Sequence, residues 1–152
     1  MNRRILLKST LAVSAVGVAA TAGLLTPGQV LAAYPKAAFE AKDAAGALSA
    51  AVGSGSFDHS DDIKIKAPDI AENGAVVPVT VSTGMSADSI TLLADANNSP
   101  MVASFDLSNA ESFVSTRIKM GKTGNVLAVV KSGGKLFANK KEVKVTIGGC
   151  GG

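Results

Sequence analysis

The sequence predicts a mainly β protein, a β-sandwich with one N-terminal helix. From Ile63 onward, about eight short alternating or β-branched segments follow one another at regular spacing, with turn signals between them. Before them, residues 34–52 are rich in Ala, Lys and Glu and repeat apolar residues at helical spacing. A chain of 152 residues and 15.2 kDa has room for one such domain and not for two.

The predicted helix covers residues 34–52. Spacings of three and four place one set of small and apolar residues on a single face: Ala38, Ala41, Ala45, Leu48 and Val52. Gly46 weakens this helix, and Gly53 is a plausible C-terminal stop. The small and polar residues 53–62 predict a loop.

The β segments predict a core and several turns. Strands are expected at residues 63–66, 76–81, 90–94, 102–107, 113–120, 125–131, 135–139 and 142–147. Turns are expected at Asn73-Gly74, at residues 97–100, at residues 121–125, at Gly133-Gly134 and at Asn139-Lys140. The sandwich core is predicted to include Phe105, Leu107, Phe113 and Ile118, and core or edge positions are filled by Met85, Met101 and Met120.

The first 32 residues have the features of an export signal. Arg3, Arg4 and Lys8 precede a weakly hydrophobic stretch. The small residues Val30 and Ala32, at positions −3 and −1, predict cleavage after Ala32 or one residue later. The paired arginines resemble a twin-arginine signal, which would place the mature protein in the periplasm. The alternative is an ordinary secretory signal with two arginines by coincidence. The expected organisation is a signal at 1–32, a helix and linker at 33–60, the sandwich at 61–147 and an arm at 148–152.

The amino-acid composition argues against several classes of function. Without residues 1–32 the chain has 12 basic and 12 acidic side chains and no Trp, and its one arginine is Arg117. This composition argues against nucleic-acid binding. Without its signal, the chain has no predicted membrane segment. One His and one Cys exclude a Cys/His metal cage and an intramolecular disulfide. We expect no metal and no cofactor.

Charge is uneven along the chain. Residues 33–111 contain four lysines and eleven acids, whereas residues 112–152 contain eight bases and one acid, Glu142. Either strands from the two parts pair and neutralise each other, or the last strands form a basic surface suited to an anionic substrate or an acidic partner.

A polar cluster at residues 58–62 (Asp58, His59, Ser60, Asp61 and Asp62) contains residue types found in hydrolase triads and metal sites. Triads gather residues from distant parts of a chain, and these five are neighbours in a predicted loop. A solvated linker is the favoured interpretation.

The C-terminus concentrates the chemistry. The only cysteine, Cys150, lies between Gly148-Gly149 and Gly151-Gly152. Glycine has no Cβ and samples a wide range of φ and ψ, so this segment predicts a flexible arm that extends up to roughly 17 Å from Ile147. No sequence feature lowers the pKa of this thiol, so Cys150 is predicted to be a passive attachment point, not a catalytic nucleophile.

The ending GGCGG, after residues 141–147, resembles the SoxY family of sulfur carriers in the bacterial Sox pathway. With the leader, the resemblance covers nearly the whole chain, and the supporting segments are residues 70–74, 77–81, 115–119 and 134–136. The chain departs from the family in a short loop at 95–101 and a compact loop near Asn109. The family implies an immunoglobulin-like sandwich, with Cys150 as substrate attachment site and Gly148, Gly149, Gly151 and Gly152 as its arm.

The resemblance also implies partners and a chemistry. SoxY forms a heterodimer with SoxZ, and the haem enzyme SoxAX couples thiosulfate to the cysteine as an S-thiosulfonate. SoxB then removes sulfate and leaves a persulfide. SoxCD, in hosts that have it, oxidises the outer sulfur to a sulfonate. The chain would thus be a non-catalytic carrier.

Two other functions stay open from the residues alone. The chain could be a non-reactive exported interaction module whose cysteine forms an intermolecular disulfide. The terminal Gly151-Gly152 also fits a ubiquitin-like carrier, but such carriers need ATP and a β-grasp strand order.

Overall fold

The computed structural model describes residues 35–146, which form two short helices and nine strands. Helix α1 spans Lys36–Glu40 and α2 spans Ala44–Val52. The strands are β1 Asp58–His59, β2 Lys64–Lys66, β3 Ile70–Ala71, β4 Val77–Ser82, β5 Ser89–Ala94, β6 Met101–Asp106, β7 Phe113–Ile118, β8 Gly124–Ser132 and β9 Lys135–Val145. The predicted signal at 1–32 and the GGCGG segment at 148–152 lie outside the described residues.

The strands form two sheets. The larger sheet has the order β1-β9-β8-β5-β6, and β3 also pairs with β9; the smaller has the order β2-β4-β7. Most neighbours are antiparallel, but β1 and β3 both run parallel to β9. Strand β9 therefore has β8 on one side and two short parallel strands on the other.

The main core lies between the two sheets. Alternate side chains of β4, β5 and β8 point into it, because successive residues of a strand face opposite sides. These buried residues are Val77, Val79, Val81, Ile90, Leu92, Val126, Ala128 and Val130. The fold is the β-sandwich that the alternation predicts.

The two helices bury the other face of the larger sheet. Ala38, Ala47 and Leu48 form a second cluster with Leu93, Met101, Val129 and Ala138. Strands β5 and β8 are thus covered on both faces, which explains why they read as nearly continuous apolar runs.

The predicted single helix over 34–52 is two helices, because Asp43 starts a new one. Its carboxylate accepts a hydrogen bond from the Gly46 amide at 2.7 Å, which is an N-cap interaction. The restart changes the buried face, so Ala47 is buried where the spacing predicts Ala45. Gly53 ends α2 with φ +83°, as predicted.

The prediction that Phe113 lies in the core is wrong. Phe113 and Ile118 are an odd number of residues apart in β7, so their side chains face opposite sides of the strand. Ile118 is buried, whereas Phe113 is 52% exposed. The other predicted core residues are buried or partly buried, as are Met85, Met101 and Met120.

The turn predicted at Asn139-Lys140 does not form, and the two predicted strands are the single 11-residue strand β9. Strand β8 pairs with it from Ser132 to Gly124 without a break. Asn139 stays in the ladder and donates its side-chain amide to the Ile63 carbonyl at 2.8 Å. The hairpin at Gly133-Gly134 is confirmed, with φ values of +56° and +77°.

Residues 53–62, predicted as a loop, contain the short strand β1, and a further two-residue strand, β3, precedes the predicted turn at Asn73-Gly74. Within residues 35–146, neither helix has the length and hydrophobicity needed to cross a membrane.

Candidate functional site

The described residues end at Thr146, one residue past the end of β9. The segment that carries Cys150 begins there. Cys150 itself lies outside the described residues, as do Gly148, Gly149, Gly151 and Gly152 of the predicted arm. The site that the structure describes is therefore the base of that arm, residues 144–146 at the end of β9 (the arm base).

The parallel strand β3 holds one side of the arm base. Ile70 and Ala71 pair with Lys144 and Val145. The Lys144 amide donates to the Asp69 carbonyl at 2.9 Å, and the Thr146 amide donates to the Ala71 carbonyl at 3.1 Å. The sheet ladder therefore continues to the last described residue.

Thr123 holds the other side. Its hydroxyl oxygen accepts a hydrogen bond from the Val145 amide at 2.9 Å. Strand β8 begins at Gly124, which pairs with Val143. Beyond that pair, the Thr123 hydroxyl replaces a backbone carbonyl of β8 as the acceptor for the Val145 amide. A backbone amide that would otherwise lie at a frayed strand end is satisfied.

A close approach at Gly74 locks a third segment onto the arm base. A Cβ on Gly74 would clash with the Met120 carbonyl oxygen and would lie 2.8 Å from a Val145 methyl group. The Met120 amide donates to the Gly74 carbonyl at 2.7 Å. Only glycine lets the 72–75 turn, the β7–β8 loop and the end of β9 meet this closely.

Asn97 joins the β5–β6 loop to the same end of the molecule. Its side-chain amide donates to the Lys119 carbonyl at 2.8 Å, and its oxygen accepts from the Gly121 amide at 2.8 Å. A Cβ on Gly124 would lie 2.5 Å from the Ala96 Cβ, so these loops are also in close contact.

Exposed lysines surround the arm base. Lys119, Lys122 and Lys144 are exposed, and Lys141 pairs with Asp69 at 3.0 Å. Among the described residues, this is the one ion pair that links the acidic part of the sequence to the basic part. Pairing between the acidic part and the basic part of the sequence is thus limited to one ion pair in residues 35–146. The exposed lysines fit the other interpretation, in which the last strands form a basic surface.

The carboxyl group of Asp106 has a shifted pKa and lies at the opposite end of the sandwich. The pKa of Asp106 is lowered, first by a hydrogen bond from the Ser108 backbone amide and then by one from the Ser108 hydroxyl. Asp106 pairs with Ser89 at the start of β5, far along the strands from Thr146. It plays no part in the arm base.

The polar cluster at 58–62 is largely exposed to solvent. His59 Nε2 lies 3.1 Å from the Asp61 carboxylate, with both side chains largely exposed. Within the described range, no three His, Cys, Asp or Glu side chains converge on a position that could hold a metal ion. The solvated interpretation fits this exposure.

Sequence reasoning missed the residues that build the arm base. The composition predicts only turns at Asn73-Gly74, at Asn97 and at Thr123. Their roles come from contacts across 22 or more positions in sequence. A single sequence carries no signal for such contacts.

The comparisons with known proteins agree with this architecture. The family model described as sulfur oxidation protein SoxY matches residues 48–150, more than half of the chain. The chain belongs to the SoxY family. This confirms the resemblance noted in the sequence, and the match extends as far as Cys150.

A solved structure supports the same membership of the SoxY family. The sulfur carrier protein SoxY from Chlorobium limicola f thiosulfatophilum is 51% identical, with a TM-score of 0.58. The alignment covers 66% of this chain and 94% of that one. The search of curated protein sequences gave no significant match.

Gly74→Ala should destabilise the arm base. The new Cβ must displace the Met120 carbonyl or the Val145 side chain, and such overpacking costs about 2 kcal/mol. The measurement is the free energy of unfolding by urea denaturation.

The control is Gly84→Ala, since a Cβ on Gly84 would meet no atom within 4 Å and the residue has no positive φ. Equal stability of the two variants would contradict the packing described for Gly74.

Proposed function

We propose that this SoxY family protein carries oxidised sulfur species covalently on Cys150 and presents them to partner enzymes. The observation that carries the proposal is the family match over residues 48–150, which includes the one cysteine of the chain. The solved relative is named as a sulfur carrier protein, which supports the same role here.

The proposed chemistry follows the family's cycle. The Cys150 thiolate and thiosulfate form an S–S bond, and SoxAX takes the electron pair that this coupling releases. SoxB adds water across the terminal S–S bond, which releases sulfate and leaves a persulfide on Cys150. Where SoxCD is present, it takes six electrons from the outer sulfur, which gains three oxygens from water and becomes a sulfonate. SoxB then hydrolyses this S–S bond, which releases sulfate and restores the Cys150 thiol.

The structure supports separate roles for the folded domain, which partner enzymes would bind, and for the arm, which would carry the sulfur. The described hydrogen bonds hold β9 as far as Thr146, so the residues beyond start from a fixed point. Tethering keeps the reactive sulfur at a high effective concentration near each enzyme that binds the body. We therefore propose a carrier that its partners modify and that catalyses no step itself.

The proposed stable partner is SoxZ, as the second subunit of a heterodimer. The proposed transient partners are the enzymes SoxAX, SoxB and, in hosts that have it, SoxCD. Because each visit orders the arm, the affinity of each enzyme for the carrier should be modest.

The proposed location is the periplasm, reached through the twin-arginine route. Support comes from Arg3-Arg4 ahead of a weakly hydrophobic Ala/Gly/Val stretch and from the small residues Val30 and Ala32 at a cleavage site.

Cys150→Ser should abolish the sulfur adduct. Protein purified from thiosulfate-grown cells is measured by intact mass; the wild type should carry thiosulfonate or persulfide mass and the variant none, because serine has no thiolate to form the S–S bond.

The control is His59→Ala, which tests the polar cluster at 58–62 and should retain the adduct. Thiosulfate oxidation that continues in the Cys150→Ser strain would sink the carrier proposal. A wild type found only as a disulfide dimer would favour the interaction module instead.

Replacing both Arg3 and Arg4 by lysine should block export. The twin-arginine route reads the guanidinium pair, whereas an ordinary secretory signal needs only positive charge, which lysine keeps. Precursor should accumulate in the cytoplasm by cell fractionation.

The matched control is Lys8→Arg, which should be exported normally. Normal export of the double lysine variant would show that the signal is an ordinary secretory one.

A further inference from the structure

The turn that closes over the arm base contains the one Asn-Gly pair of the chain, Asn73-Gly74. In such a pair the glycine nitrogen can attack the side-chain carbonyl carbon of the asparagine, because glycine has no Cβ to shield its amide. A new C–N bond forms a succinimide ring, and the side-chain nitrogen takes the amide proton and leaves as ammonia. Water then opens the ring to aspartate or to isoaspartate.

The reacting groups of this pair are available in the folded protein. Asn73 is exposed, so water can reach it. Its side-chain oxygen accepts a hydrogen bond from the Ala75 amide at 2.9 Å, and such a donor stabilises the negative charge that develops on this oxygen during the attack. The Gly74 amide donates to no acceptor in residues 35–146, so the attack breaks no hydrogen bond of that amide.

The packing of Gly74 opposes the same reaction. Because the peptide unit is planar, bringing the Gly74 nitrogen onto the Asn73 side chain turns the whole unit between the two residues. That movement is resisted, since the Gly74 carbonyl accepts from the Met120 amide at 2.7 Å and its Cα lies against Val145. The Asn73 carbonyl also accepts from the Val76 amide at 3.3 Å. The turn must therefore open before the ring can close.

We propose that Asn73 is a modification site, at which deamidation to isoaspartate is controlled by opening of the arm base. When the end of β9 moves away, Gly74 loses its contact with Val145 and becomes free to react. The rate of modification then follows the local stability of the strand end that anchors the arm. The reaction consumes only water, and it is independent of the sulfur chemistry proposed for Cys150.

Isoaspartate at position 73 should in turn loosen the arm base. Its main chain runs through the former side-chain carbon and is longer than that of aspartate. The turn has no room for this extra length, because even a Cβ on Gly74 would clash with the Met120 carbonyl oxygen and lie 2.8 Å from a Val145 methyl group. Isoaspartate does not revert to asparagine, so this site limits the lifetime of the anchored arm.

The first test compares the rate of modification in three proteins: the wild type, Thr123→Val and Thr83→Val. Thr123→Val removes the hydroxyl that accepts the Val145 amide at 2.9 Å. Thr83→Val is the matched control, because it removes a hydroxyl that accepts the Met85 amide at 3.2 Å, beyond the other end of β4. Both substitutions keep the shape of the side chain.

The purified proteins are incubated at mildly alkaline pH, which favours loss of the amide proton from Gly74. Peptide mapping by mass spectrometry separates asparagine, aspartate and isoaspartate at each position. Isoaspartate at position 73 should form several-fold faster in Thr123→Val than in the other two proteins. The exposed residues Asn98 and Asn109, which precede a serine and an alanine, should react at the same rate in all three.

Two outcomes would overturn the proposal. Equal rates at Asn73 in the three proteins would show that the arm base does not control the reaction. Incubation continues until Asn98 or Asn109 has reacted in Thr123→Val, and an Asn73 that is still intact at that point would show that it is not a modification site.

The second test measures the effect of isoaspartate on the arm base. The isoaspartate form of the wild type is separated by ion exchange, since it has gained a carboxylate. Its amides at Lys144, Val145 and Thr146 should lose protection from hydrogen exchange. The matched control is Asn73→Asp, which has the same charge and an ordinary main chain and should keep this protection. Equal protection in the two proteins would contradict the proposed loosening.

Discussion

The end of β9 is the constraint on which the rest of the account depends. A carrier segment is useful only if it starts from a fixed place, since a frayed strand would add its own disorder to the reach of the arm. Here the last residues of β9 are bonded on one side by β3 and on the other by the Thr123 hydroxyl. Gly74 allows a turn to close over the same point. Three chain segments therefore stabilise one strand end.

This arrangement also places the basic residues. The acidic part of the sequence contributes only one ion pair to the basic part within residues 35–146, between Asp69 and Lys141. Lys119 and Lys122 form no ion pair with a described residue and lie at the end where the predicted arm begins. The sulfur species proposed for Cys150 are anions, so this end lowers the electrostatic cost of holding them. The anchored end of β9 and the exposed lysines therefore lie at the same end of the sandwich.

The regular parts of this fold could be predicted because they depend on local patterns. Alternation in β4, β5 and β8 predicts the sandwich, and Gly133-Gly134 predicts its hairpin. Errors arose where a local pattern competed with a longer-range one. Asn139 has the composition of a turn, but nine residues of β8 hold it in a ladder. Phe113 is apolar, yet its position in β7 places it on the outer face.

The arm base could not be predicted in the same way. Two-residue strands such as β3 are too short to show a period, and the roles of Thr123 and Asn97 come from partners more than 20 positions away. Cys150 could be proposed as the attachment site because its chemistry is local: one thiol among four glycines. Reactive groups are read from composition, whereas the surfaces that hold them depend on tertiary contacts.

The most direct measurement of the central claim is amide hydrogen exchange at the end of β9. If the arm starts from a fixed point, the amides of Lys144, Val145 and Thr146 should exchange slowly, as members of the ladder do. Protection should drop in the Gly74→Ala protein and persist in Gly84→Ala. Fast exchange at all three amides in the wild type would contradict an anchored arm base.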